Sequence, residues 1–169
     1  KLLCCNGTTA SSATVTPNSL SVLNKVKAQS FGRFTADDGE GGLVWIKNRD
    51  TSWNNTLIDT VRGRTKVLYS DGNWGESTVD EDLGSFNNSG FSLLKESNYT
   101  NIGAQNYASW TFRKAKGFFD IVTYTGTGST RTVAHNLGSV PGVVLVKNLT
   151  DAQNWVMYHR SVGNTGALL

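Results

Sequence analysis

The strongest constraint in this sequence is an internal match. Gly42-Leu-Val-Trp-Ile-Lys-Asn48 aligns with Gly142-Val-Val-Leu-Val-Lys-Asn148, an offset of 100 positions. Val44 faces Val144, Ile46 faces Val146, and the pair Lys47-Asn48 recurs as Lys147-Asn148. Trp53 then meets Trp155 at an offset of 102, and Arg62 lies near Arg160 in the alignment. Chance agreement of this order is small. A period near 100 is too long for a solenoid unit and suits whole β-domains in series. The second copy stops short, with no counterpart of Phe86 to Trp110, so the sequence reads as a segment of something longer.

Composition narrows the class of domain. The chain has 169 residues, enough for one ordinary domain or two small units with a real core. Gly, Ser, Thr and Asn supply 69 of them, alongside 5 Trp, 5 Tyr and 7 Phe. Small polar residues mixed with aromatics favour short strands and many turns. Helical periodicity is not persuasive anywhere, and no window approaches 18 apolar residues, so no spanning helix and no membrane insertion are expected. The net charge of +3 is a mild excess. Its densest group, Arg113, Lys114 and Lys116, reads as a solvated edge, not a basic face with stacking aromatics, so no nucleic-acid partner is expected. Cys4 and Cys5 are adjacent, which suits neither a zinc site nor an unstrained disulfide. Two free thiols point to a reducing compartment. The N-terminus has no signal-peptide pattern.

Along the chain, residues 1–30 are small, polar and interrupted by Pro17, and read as a linker or the end of a preceding β-domain. Residues 31–117 form a first unit and 118–169 an incomplete second one. Gly42 to Asn48 reads as a strand buried on both faces. Leu57-Ile58, Lys66 to Tyr69, Phe91 to Leu93, Tyr107 to Phe112 and Phe118 to Thr125 give further strands. Ser70-Asp71-Gly72 is a turn signal, and residues 71–82 are loop. The expected fold is all-β: an antiparallel β-sandwich, in tandem sandwich-like units with a period near 100.

At Leu43-Val-Trp-Ile-Lys-Asn-Arg49, Asp59-Thr-Val-Arg-Gly63, Leu83-Gly-Ser-Phe-Asn-Asn-Ser-Gly-Phe91 and Val122 to Ser129 the sequence resembles a known group. The same holds at His135-Asn-Leu-Gly-Ser-Val-Pro141 and Trp155-Val-Met-Tyr-His-Arg160. It is similar to the repeat domains of large tail-fibre-like virion proteins of marine tailed phages, including cyanophages. The first copy departs from the pattern, with Thr35 to Gly42 in place of a Gly-Leu-Gly-x-x-Pro lead-in. The resemblance implies a virion structural protein made in the host cytoplasm, not an enzyme. It implies other virion proteins as partners, a homo-oligomer with a trimer favoured, and contact with a host-surface glycan.

The residues offer several chemistries, each beside a plainer reading. His135 and His159 are the only histidines, and no G-x-S-x-G elbow accompanies them. The plainer reading has His135 ending a strand with its ring on the backbone, and His159 on a strand beside Tyr158. A glycosidase needs two carboxylates across a sugar. Asp37, Asp38, Glu40 and Asp80 to Asp82 supply carboxylates, but in polar loops where solvated charge is the plainer reading, and no EF-hand spacing marks a Ca²⁺ site. No catalytic residue, metal or cofactor is therefore assigned. Trp45, Trp110 and Trp155 read as core. Trp74 sits in the Gly-rich loop Asp71-Gly-Asn-Trp-Gly-Glu76 and is the candidate for an exposed contact, with Asn73 and Glu76 beside it. The plainer reading folds it back over the end of the domain. Trp45, Lys47, Asn48, Trp53, Arg62, His135, Pro141, Lys147, Asn148, Trp155 and Arg160 read as structural signatures of the repeat, with Arg62 pairing Asp59 on the surface. The alternatives to a tail spacer and adhesin are a capsid decoration or head-fibre protein, a carbohydrate-binding module, and a polysaccharide depolymerase using Asp80 or Asp82.

Overall fold

The computed structural model describes residues 40–94 and 96–168. The calls on residues 1–30, on Asp37 and Asp38 and on the lead-in before Glu40 lie outside the described residues. Ten strands are assigned among those described, every pairing between them is antiparallel, and none of these residues is helical. The fold class is therefore all-β.

Five strands make the main sheet, in the order β4-β3-β2-β1-β7. They are β1 (Gly42–Asn48), β2 (Thr56–Asp59), β3 (Lys66–Tyr69), β4 (Ser77–Thr78) and β7 (Tyr107–Arg113). Neighbours in sequence are neighbours in the sheet except at β7, which returns to the free side of β1 and pairs along its whole length, from Gly42↔Arg113 to Asn48↔Tyr107. Between β4 and β7 the chain makes a small hairpin, β5 (Ser85–Asn87) and β6 (Gly90–Ser92). Phe86 and Phe91 stand directly opposite each other in it, so both rings leave one face. That face packs on the main sheet, against Val44 and Ile46 of β1 and Ile58 and Val67 of β2 and β3, with Leu83. All five of these aliphatic side chains are fully or almost fully buried, each contributing roughly 1.5–3 kcal/mol over exposure.

β1 alternates strictly between buried and half-buried residues. The expectation of a strand buried on both faces is thus corrected. Its even-numbered residues face the core, while Trp45 turns to the other side. There it meets its register partner Trp110 at 5.6 Å between ring centroids, and Trp110 is half exposed. The two tryptophans form a cross-strand pair on the outer face, not the core. Four apolar letters in a row could not distinguish a strand covered twice from one covered on one face and roofed by aromatics on the other.

Phe118 to Thr125 is not a strand; only an isolated bridge, Ala115↔Phe119, occurs there. Its letters are β-forming, but among the described residues no neighbouring strand offers a ladder. The segment is tied by side chains instead. The Asp120 carboxylate accepts hydrogen bonds from the Asn136 and Ile121 amides, at 2.7 and 2.9 Å, and pairs with Lys114 at 3.1 Å. His135 likewise ends no strand, although its Nδ1 does accept the Leu137 amide.

The last strands, β8 (Val143–Val146), β9 (Val156–His159) and β10 (Gly163–Leu168), form a separate sheet in the order β10-β9-β8. The β8–β9 hairpin has the register of β1–β2 moved by 100. Leu43↔Asp59 becomes Val143↔His159, and Ile46↔Thr56 becomes Val146↔Val156. The hydrogen bonds at its ends correspond too. The amide of Thr60 donates to the Gly42 carbonyl as that of Arg160 does to Gly142. Asn48 Oδ1 accepts from the amides of Asp50 and Thr51, and Asn148 Oδ1 from those of Thr150 and Asp151. Asp59 accepts the Val61 amide and His159 Nδ1 the Ser161 amide. Gly63 and Gly163 both hold positive φ, +102° and +79°, where a side chain is disfavoured.

Candidate functional site

The loop after β3 carries the candidate contact residues, and both hairpin tips converge on it. The first tip arrives through Asn55, whose carbonyl accepts the Ser70 amide and whose amide donates to Asp71 Oδ1. The second arrives through residues 147–155. The Trp155 indole donates to the carbonyls of Tyr69 and Gly72, at 3.1 and 3.2 Å. The Lys147 ammonium donates to the Asn73 carbonyl at 3.1 Å and the Asn148 carbonyl at 3.0 Å; partial desolvation holds its pKa below the ordinary lysine value. The Glu76 amide donates to the Leu149 carbonyl at 2.7 Å. Gly75 lies so close that a Cβ would stand 2.9 Å from the carbonyl oxygens of Leu149 and Thr150. The loop is a seam between β3 and the β8–β9 hairpin.

Within that seam the three candidate residues part company. Trp74 lies back over Gly72, where an added Cβ would collide with its six-membered ring, and stands edge-on to Tyr69 at 6.0 Å between centroids. It is still 51% exposed. Asn73 is exposed. Glu76 turns inward, its carboxylate 3.2 Å from Arg62 and 3.6 Å from Lys66. Beside Asn73 an open groove of about 590 Å³ runs along the hairpin tip, lined by Asn73, Val146, Asn148, Gln153, Asn154 and Val156. Carboxamides on its walls offer donors and acceptors together.

Arg62 and Asp59 do pair, but not on the surface. The Nε–Oδ2 distance is 2.5 Å and the side chains are 7% and 4% exposed. Arg62 also donates to the Leu57 carbonyl. Lys47 spans its own tip, donating to the carbonyls of Thr51 and Trp53. Asn48 is fully buried, and its Nδ2 donates to the Asn98 carbonyl, to Gln105 Oε1 and to the Tyr107 hydroxyl. Trp53 is edge-on to Tyr99. Gly142 packs under the Arg160 guanidinium, following the half-buried Pro141.

The carboxylates named for sugar chemistry are differently placed. Asp80 is 71% exposed and pairs with Arg64 at 2.6 Å. Asp82 is fully buried and accepts from the Ser97 hydroxyl. Burial pushes its carboxyl above the ordinary aspartate value, against the pull of that hydrogen bond, and Glu81 adds to the rise. Burial, helped by Tyr99 and Asp82, likewise pushes the Tyr69 hydroxyl up to about 12. Among the described residues, no group of three His, Cys, Asp or Glu side chains is placed to hold a metal ion. Sequence reasoning missed the seam and the burial of Asp82. The repeated Lys-Asn pair was the one local signal for the first, and nothing in the run Asp80-Glu81-Asp82 marked the last of the three charges apart from its neighbours.

Fold and seam together define an all-β domain in which one hairpin register occurs twice and the second hairpin is fastened to the loop after β3. The chain belongs to the family described as a domain of unknown function (DUF7483), which matches residues 29–169. No curated protein and no solved structure matches it.

Proposed function

We propose that this chain is a non-enzymatic structural part of a tailed-phage virion, fibre or tail-associated, in which antiparallel β-sandwich units in series act as a spacer and meet the host surface. The observation that carries this reading is the seam. Trp155, Lys147 and Leu149 clamp the second hairpin onto the turn after β3, and a clamped joint transmits force where a flexible linker would not. The Phe86–Phe91 hairpin lying over the five-stranded sheet supports the sandwich element, and the shared register at an offset of 100 supports the serial element. Other virion proteins and further copies of the chain, as a trimer, are the partners of this reading. Cryo-electron microscopy of particles whose genome encodes the chain tests it. Density in series along a tail or fibre axis is the expected result. Density on the capsid lattice replaces it with the decoration or head-fibre reading, and absence of the chain from purified particles refutes both.

A specific observation favours a glycan contact within this role. Trp74 is half exposed beside Asn73 and a carboxamide-lined groove, and an indole face with neighbouring amides suits a sugar ring and its hydroxyls. A glycan array comparing the chain with Trp74→Ala tests it. Equal background signal from both removes the contact.

A further inference from the structure

Trp74 is one end of a row of four aromatic rings. Its ring centroid lies 6.0 Å from that of Tyr69, Tyr69 lies 5.4 Å from Tyr99, and Tyr99 lies 5.5 Å from Trp53. All three steps fall within the range of favourable ring contact. The row draws on three segments: the loop after β3, the segment between β6 and β7, and the tip of the β1–β2 hairpin. Its middle members are half-buried and its ends are open, Trp74 at 51% and Trp53 at 40%. The matching tip residue of the second hairpin, Trp155, is half-buried, its indole engaged by the carbonyls of Tyr69 and Gly72. The middle of the row is held from behind. The Thr100 hydroxyl donates to the Asp82 carbonyl at 3.1 Å, and the Asn48 carboxamide and Tyr107 hydroxyl each donate to the Asn98 carbonyl at 3.3 Å. Polar walls flank both ends. The carboxamide groove includes Asn73, next to Trp74. Beside Tyr99 a second pocket, of about 330 Å³, has Glu81, Glu96, Ser97 and Asn98 in its wall. Glu81 and Glu96 at this end, and Asp71 at the other, bring exposed carboxylates to the row. Lys47 and Lys147, one on each hairpin tip, donate to backbone carbonyls instead.

We propose that this row is an extended binding strip for an uncharged glycan chain, with one sugar ring on Trp74 and another on Trp53. An indole takes the apolar face of a sugar ring, and the carboxamides and carboxylates at either end exchange hydrogen bonds with its hydroxyls. A single sugar covers one indole. The two tryptophans are joined through three ring-to-ring steps, so an occupant of both is a chain of several sugars. The exposed carboxylates repel sulfated and uronic-acid chains, which sets the charge of the ligand. Rings that brace one another lose little further freedom on binding. The inference rests on the glycan contact at Trp74 and deepens it by naming the length and charge of the ligand and a second contact residue, Trp53.

The test is calorimetric titration of the full chain with neutral gluco-, manno- and galacto-oligosaccharides of graded length, beside uronic-acid oligosaccharides of the same lengths. Affinity for at least one neutral series is expected to rise at least tenfold from its shortest binding member to its longest. Trp53→Ala is expected to lower affinity for the longest member at least tenfold and to leave the shortest unchanged, while Trp74→Ala lowers both. Trp53→Phe keeps a ring beside Tyr99 and is expected to recover part of the loss. It also separates a lost contact from a lost fold, since its thermal transition is expected to match the parent's. If Trp53→Ala binds the long chain as the parent does while Trp74→Ala does not, the strip is overturned and the single contact at Trp74 stands. Tighter binding of the uronic-acid series overturns the proposal through its charge. Binding to none of the neutral series also overturns it, and the array comparison with Trp74→Ala then decides the single contact by itself.

Discussion

Replacing Arg62 by methionine is the sharpest test of how this domain is held together. Methionine keeps much of the aliphatic volume and removes the guanidinium. The Asp59 carboxylate, 4% exposed, then loses its 2.5 Å partner, and Glu76 keeps only Lys66 at 3.6 Å. Breaking one side of a buried pair costs about 3–5 kcal/mol, because a charge is left without compensation in a poorly solvated place. Asp59 retains hydrogen bonds from the Val61 and Arg62 amides, at 2.9 and 2.8 Å. These soften the loss, so the lower end of that range, about 3 kcal/mol, is expected. At about 2–4 °C per kcal/mol for a chain of this size, the midpoint falls by roughly 6–12 °C. The comparison is Asp80→Ala, which breaks an ion pair of similar length whose partners are 39% and 71% exposed. That change is expected to cost under about 1 kcal/mol. The double variant Asp59→Asn with Arg62→Met is expected to be less destabilised than the sum of its single changes. Scanning calorimetry of the parent, the three single variants and the double variant decides it. If Arg62→Met and Asp80→Ala shift the midpoint equally, the Arg62–Asp59 pair is as well solvated as the exposed one, and the argument from burial fails.

The remaining expectations follow from burial and from titration. Ile46→Ala removes a side chain under the Phe86–Phe91 hairpin and is expected to cost about 2–5 kcal/mol, while Val146→Ala at the same register position costs under about 0.5 kcal/mol; denaturant melts compare them. Gly75→Ala sets a methyl 2.9 Å from the carbonyls of Leu149 and Thr150. It is expected to open the seam at about 1–3 kcal/mol, read as faster exchange of the Glu76 amide. Desolvation pushes the Asp120 carboxyl up, but the Asn136 amide, Lys114 and the Ile121 amide outweigh it and hold it below the ordinary aspartate value. A lowered folded-state pKa contributes stability that is complete above the unfolded aspartate pKa and is lost as pH falls through the folded one. Exchange protection across residues 114–138 is therefore expected to drop below about pH 4, and Asp120→Asn flattens that dependence.

What was legible in the sequence is what neighbouring residues decide. Tyr107 to Phe112 alternates and is a strand. Gly84 to Gly90 reads as a strand end and turn, and Asn87 and Gly90 do close a two-residue loop. Ser70-Asp71-Gly72 turns where its letters indicated. The illegible part depends on what lies across space. Trp45 and Trp110 read as core by their letters, and only the pairing of β7 with β1 sets them together on the outer face. Phe118 to Thr125 has strand letters and, among the described residues, no strand beside it. Glu76 reads as an exposed contact beside Trp74, whereas Arg62, 14 positions earlier, holds it inward. Trp155 reaches a turn 86 positions away.

The seam also explains why a tryptophan and two glycines share the loop at 71–76. A turn that receives two hairpin tips must present bare backbone to both. Gly72 makes room for the Trp74 ring and Gly75 for the Leu149 and Thr150 carbonyls. Carbonyls turned outward by such a turn need donors, and the second hairpin brings them as the Trp155 indole and the Lys147 ammonium. An indole suits the place because its one N–H serves two carbonyls while its rings keep water from them. The two donors come from opposite ends of the same hairpin loop, so rotation of that hairpin about either contact strains the other. Trp74 then remains half exposed on the outer side of a joint braced from behind, and a side chain braced in this way loses little further freedom when it meets a partner.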